Sequence, residues 1–217
     1  MKNGSLDGVV EEAEATRTRL PPSDKAKWCH QMALALSHTH FKANTYHMDV
    51  KLSNFLLDDN KDLILIDWEQ SGASRSTLAP EANGSWDVEI TEQPRTDDEA
   101  SSPTTPTLVY TRYAGPPRQN AWSWPEWNVF PIWRRKCPRA LEKAEVFSLG
   151  RTMWMLLQQV ASIDEIEDAT RISWDETSSD IPQSWKALIS RCVELNPNKR
   201  IAMSELTRFW EEARREL

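Results

Sequence analysis

Two short apolar runs, Phe55-Leu56-Leu57 and Leu63-Ile64-Leu65-Ile66, flank Asp58-Asp59-Asn60-Lys61-Asp62, and this pattern constrains the chain more than any other. Turn-forming residues between two strand-length segments specify an antiparallel hairpin. Such a hairpin brings the residues before its first strand and after its second to one end. Those residues are His47-Met48-Asp49-Val50-Lys51-Leu52-Ser53-Asn54 on one side and Asp67 on the other. Most of the remaining sequence has helical periodicity. Residues 1–20 read as a short acidic helix after a Gly4-Ser5 turn, ended by Pro21-Pro22. Ser23 is the expected N-cap of the next helix, whose apolar face carries Cys29, Met32, Ala33 and Leu36 and which ends near Lys42. Val146, Leu149, Met153, Leu156, Leu157 and Val160 mark a buried helix, Trp185, Leu188, Ile189, Cys192 and Val193 another. A last helix runs from about Ser204 with Leu206, Phe209 and Trp210 inward. The expected class is α+β, mainly α, with helices around one small hairpin.

The 217 residues suffice for one domain, or for one large lobe with an insertion. From about Glu89 to Thr107 the chain reads EITEQPRTDDEASSPTTPT, too poor in bulky apolar residues to offset its ordering entropy, so a disordered insertion is expected there. Residues 108–138, rich in Trp and Pro, are expected to form an irregular packed loop.

A net charge of -7 and a pI near 5.2 argue against nucleic acid as a partner, because tracking phosphates needs a positive face. Trp122, Trp124, Trp127 and Trp133 are accordingly read as packing residues, not base-stacking platforms. Cys29, Cys137 and Cys192 lie far apart without a CxxC, so reduced buried thiols are expected, with neither zinc nor disulfides. His38 and His40, two apart on a helix, cannot chelate one metal ion. No apolar signal core opens the chain and no apolar run could span a bilayer. No membrane partner and a soluble, intracellular setting, cytoplasmic or nuclear, are expected.

Phosphoryl transfer needs a carboxylate to orient the attacking hydroxyl, oxygen ligands for magnesium, and a cation near the transferred phosphate. Asp49, Lys51 and Asn54 supply these in one loop, and the returning strand delivers Asp67 to the same end.

HMDVKLSNFLL resembles the protein kinase catalytic loop, H-R-D-L-K-x-x-N followed by an apolar strand, and Asp67-Trp68-Glu69 resembles a variant of D-F-G. Ala79-Pro80-Glu81 matches A-P-E, Glu145-Val146-Phe147-Ser148-Leu149-Gly150 resembles D-V-W-S-L-G, and Asn196-Pro197-Asn198-Lys199-Arg200 resembles D-P-x-x-R, all in order. The resemblance implies the C-terminal lobe of a eukaryotic protein kinase-like domain, in the style of divergent fungal kinase-like proteins. It covers nearly the whole chain except about residues 82–140. By it, Asp49 is the catalytic base, Lys51 contacts the transferred phosphate, Asn54 and Asp67 bind Mg2+, and His47 braces the loop. Glu81 pairs with Arg200, and Glu145 stands where the family has Asp. ATP and Mg2+ are the implied cofactors, and a nucleotide and a protein substrate the partners. Lys51, two residues after Asp49, favours Ser/Thr over Tyr as acceptor.

Departures from the pattern carry expectations of their own. Met48 replaces the Arg that pairs with a phosphorylated activation loop, so no dependence on such phosphorylation is expected. Trp68-Glu69 removes the glycine of D-F-G. Nothing ahead of His47 resembles a Gly-rich loop or V-A-I-K, so the smaller N-terminal lobe is expected either upstream or lost, and these residues alone are expected to transfer phosphate negligibly. A pseudokinase or interaction module remains open. So does a small-molecule phosphotransferase of the aminoglycoside or choline type, which Ile66-Asp67-Trp68-Glu69 fits, although Lys51 and the downstream motifs do not.

Overall fold

A computed structural model of the chain describes residues 3–68, 76–91, 107–116, 118, 129–160 and 171–217. Among these residues six α-helices run in the order α1 (Leu6–Thr16), α2 (Pro22–Phe41), α3 (Val129–Lys136), α4 (Pro138–Gln158), α5 (Gln183–Cys192) and α6 (Met203–Arg215). The described strands form two antiparallel pairs: β1 (Phe55–Leu57) with β2 (Leu63–Leu65), and β3 (Trp86–Thr91) with β4 (Thr107–Arg112). The architecture is mixed and mainly helical, compatible with a helical lobe.

Helix α4 is the axis. It is buried all round because its apolar residues do not keep to one stripe. On one side Val146, Leu149, Met153 and Leu156 pack with α2, α5 and α6, where Trp185 and Trp210 meet edge to face at 5.0 Å. On the other, Leu141, Ala144 and Phe147 pack with Val129 and Trp133 of α3 and Val88 and Leu108 of the second sheet. Gly150 sets the closeness of α4 to α5: a Cβ there would stand 2.3 Å from the Cβ of Cys192.

The first hairpin is the one the sequence specifies, with Phe55 opposite Leu65 and Leu57 opposite Leu63. Its turn is closed by the Asp58 carboxylate, which accepts from the N–H groups of Asn60 and Asp62, both at 2.8 Å. Ser5 caps α1 by accepting from the Gly8 N–H, and the Gly4 carbonyl accepts from the Leu57 N–H at 2.9 Å, tying the chain start to β1.

Three expectations are corrected. Ser23 does not cap α2: the helix begins at Pro22, whose fixed φ suits the first helical position and whose missing N–H costs nothing there. Residues 108–138 are not wholly a loop, since β4 and α3 lie within them. Glu89–Thr91 and Thr107 belong to strands, while 92–106, the bulk of the expected insertion, lie outside the described residues. Trp122, Trp124 and Trp127 lie outside them too, whereas Trp133 is buried in the core.

Candidate active site

The loop from His47 to Asn54 is held by side chains that satisfy its backbone. The Asp49 N–H donates to His47 Nδ1 at 3.3 Å, so the other ring nitrogen carries the proton and donates to the Ile66 carbonyl at 2.8 Å. The Ile66 N–H in turn donates to the Asn54 carbonyl at 2.9 Å. Ile66 is therefore clamped from both sides, and Asp67 follows it at φ 65° in the left-handed region. Trp68 lays its ring edge against His47 at 4.8 Å and donates from its indole to the Leu65 carbonyl.

Asp49, 5% exposed, lies at the centre of the cluster. Its Oδ2 accepts from Lys51 Nζ at 2.7 Å and from Asn54 Nδ2 at 3.1 Å, and Nδ2 also reaches the Asp49 carbonyl at 2.8 Å. With the Asn54 amide nitrogen so committed, its oxygen is the atom left to face a cation. Asp67 is exposed, and its side chain takes no part in the hydrogen bonds that join the other three. The turn before β1 thus brings Asp49, Lys51 and Asn54 into contact, and the hairpin sets Asp67 one residue beyond the Ile66 clamp. Glu69 lies outside the described residues.

Glu145 reaches this loop from α4. Its Oε1 accepts from the Met48 N–H at 2.6 Å, holding Met48 at φ 62°, and its Oε2 meets His40 Nε2. His40 was legible only as an unimportant helix residue, yet it is 5% exposed and its ring packs on Tyr46 at 4.8 Å. Its spacing from Cys29, Ala33 and Leu36 already put it on the buried stripe of α2. Burial, reinforced by Glu142 and Glu145, pushes the Tyr46 hydroxyl up to about 12. Thr77 and Thr152 were also missed. Both hydroxyls donate to the Val50 carbonyl, at 2.7 and 3.2 Å, and so fix the middle of the loop from two further directions.

The expected ion pair is present. Arg200 donates from both terminal nitrogens to the two carboxylate oxygens of Glu81, with Arg200 3% and Glu81 6% exposed, and its guanidinium sits 4.8 Å over the Phe147 ring. The pair fastens Pro80–Ala82 to the loop before α6.

The donor set is one of hard oxygens. Among the described residues no three His, Cys, Asp or Glu side chains converge on one point. An amide oxygen from Asn54 and the exposed carboxylate of Asp67 suit Mg2+, which takes few protein ligands and keeps several waters. No helix among the described residues is long and apolar enough to cross a membrane.

The chain is 36% identical over 58 residues to the hormonally up-regulated neu tumor-associated kinase homolog of Xenopus tropicalis. That stretch is 27% of this chain and 8% of the relative's length, so it supports a kinase-like relationship and no more. No family model matches the chain.

Proposed function

We propose that the chain is the helical lobe of an ATP-dependent protein kinase-like domain that transfers phosphate to Ser or Thr of a protein. Asp49 orients and receives the proton of the acceptor hydroxyl, and Lys51 leaves Asp49 to meet the transferred phosphate. The Asn54 amide oxygen and Asp67 hold Mg2+, which neutralises charge on the nucleotide phosphates. His47 works through the Ile66 carbonyl, Glu145 through the Met48 N–H, and the Glu81–Arg200 pair through the segment after Asp67. The observation that carries this reading is the single hydrogen-bonded cluster of Asp49, Lys51 and Asn54 beside the Ile66 clamp.

Binding and transfer are tested separately. Mn2+ with ATP, followed by electron paramagnetic resonance, is expected to bind the chain, and Asn54→Ala and Asp67→Asn are each expected to weaken binding at least about ten-fold. Asp49→Asn leaves Mn2+·ATP binding intact and, in any setting where transfer is measurable, lowers its rate about 10²–10⁴-fold. Metal–nucleotide binding that ignores Asn54 and Asp67 sinks the proposal. The chain alone, lacking a Gly-rich loop, is expected to transfer label from ATP to casein only at background. Ile66-Asp67-Trp68-Glu69 favours a second reading, transfer to a small alcohol, which label on choline or an aminoglycoside with none on protein would support.

A further inference from the structure

Strand β4 pairs with β3 through Thr107, Val109 and Thr111, because in an antiparallel ladder alternate residues turn their N–H and C=O to the same neighbour. Leu108 gives the parity. Its N–H donates to Asn198 Oδ1 at 3.0 Å and its carbonyl accepts from Asn198 Nδ2 at 2.7 Å, so Leu108 faces away from β3. Tyr113 agrees, its N–H returning inward to the Ser85 carbonyl. The main-chain groups of Tyr110 and Arg112 must then also face outward, and among the described residues none bonds them. The Asn198 amide has taken the place of the first residue of a further strand, and no described residue fills the next two places on that edge.

A groove of about 420 Å3 runs beside this edge, walled by Trp86, Leu108, Tyr110, Leu195 and Pro197. Leu195 is 64% exposed. Among the described residues the one carboxylate in the wall is Glu81, which is neutralised by Arg200. Arg112 stands at one end with its guanidinium 4.1 Å over Trp86, and exposed Lys199 follows Asn198 at the other. In a chain of net charge -7, this is an apolar groove with cationic ends.

We propose that the outer edge of β4 receives an extended peptide of a partner protein as a third strand, with apolar residues at alternate positions and acidic residues at its ends. Backbone pairing with Tyr110 and Arg112 holds it, the groove takes its apolar side chains, and Arg112 and Lys199 take its acidic ends. The proposal does not depend on phosphoryl transfer.

The probe is the blocked peptide Asp-Thr-Val-Thr-Val-Thr-Asp carrying a fluorophore, titrated by anisotropy, with amide hydrogen exchange read at Tyr110 and Arg112. Binding is expected to slow exchange at both amides at least about ten-fold. N-methylating the facing peptide amides is expected to weaken binding at least about ten-fold. Arg112→Pro should do the same, since it removes an N–H that points away from β3 and spares the ladder, while Arg112→Ala measures the charge alone. Leu195→Asp, at an exposed position, should also weaken binding without unfolding the protein. No binding up to about 1 mM, binding without slowed exchange, or undiminished binding of the N-methylated peptide would each overturn the proposal.

Discussion

Replacing Glu145 by alanine removes the carboxylate that reaches the proposed catalytic loop from α4. In the folded protein Oε1 holds the Met48 N–H at 2.6 Å and Oε2 meets His40, and the side chains of Glu145 and His40 are each 1% exposed. Alanine leaves two polar groups buried without partners, at about 1–3 kcal/mol each. It also frees Met48 from φ 62°. Because a non-glycine residue pays roughly 1–2 kcal/mol there, relaxation of the loop recovers part of the loss. The net expectation is a loss of about 3 kcal/mol. With a urea m-value of about 2 kcal/mol/M, the midpoint followed by Trp fluorescence falls by about 1.5 M. His40→Ala alone should cost about 2 kcal/mol, and the double variant little more than Glu145→Ala, a coupling above about 1 kcal/mol. Amide exchange at Asp49 should rise in both single variants, since the loop is then held from fewer sides. A loss under about 1 kcal/mol for Glu145→Ala, or additive losses in the double variant, refutes the reasoning.

Gly150→Ala places a methyl group 2.3 Å from the Cys192 Cβ and should lower stability by about 1–3 kcal/mol, with partial recovery when Cys192→Gly is added; an unchanged thermal midpoint would show that α4 and α5 part freely. Glu81→Met or Arg200→Met alone should cost about 3–5 kcal/mol by stranding a buried charge, and the double variant distinctly less, as read by urea denaturation. Burial pushes the Cys192 thiol up to about 12 from an ordinary 9.0. Over that window the folded state keeps a proton that the unfolded state loses, so this thiol's contribution falls by about 1.4 kcal/mol per pH unit as pH rises from 9 towards 12. Between pH 9 and 11, stability should therefore decline more steeply in the wild type than in Cys192→Ala, and equal slopes would contradict the burial argument.

The parts of this fold that were legible in the sequence are those in which one period governs a segment. Phe55–Leu57 and Leu63–Leu65 pair as their spacing requires, and the stripes through Cys29–Leu36 and Val146–Leu157 are buried. The second sheet was obscured by its neighbours. Trp86, Val88 and Ile90 alternate with Asp87, Glu89 and Thr91 at a strand period, but the polar composition that begins at Glu89 outweighed it. The start of α2 was misplaced because a cap-forming serine competed with a proline at the first helical position, and the proline's fixed φ decided the matter.

At the site, spacing marked Asp49, Lys51 and Asn54, which meet, but not the groups that hold them. Asp49, Lys51 and Asn54 lie within six residues of one another, so a single tight turn brings them together. The groups that hold that turn include Ile66, Thr77, Glu145 and Thr152, up to about a hundred residues away, and each acts on backbone atoms that no side-chain motif records. Two residues flank the cluster in left-handed conformations without being glycine, Met48 and Asp67. Such backbone persists only where the surroundings over-determine it. For Met48 the surroundings are visible, in Glu145 and its His40 partner. For Asp67, among the described residues, they are the Ile66 clamp and the Trp68 contact with His47. Under the proposed function a cation held jointly with Asn54 adds a further constraint on Asp67. Mn2+ with ATP should therefore slow amide exchange at Asp67 and Trp68 far more than at Met48, and equal protection at all three would separate the strained backbone from the metal.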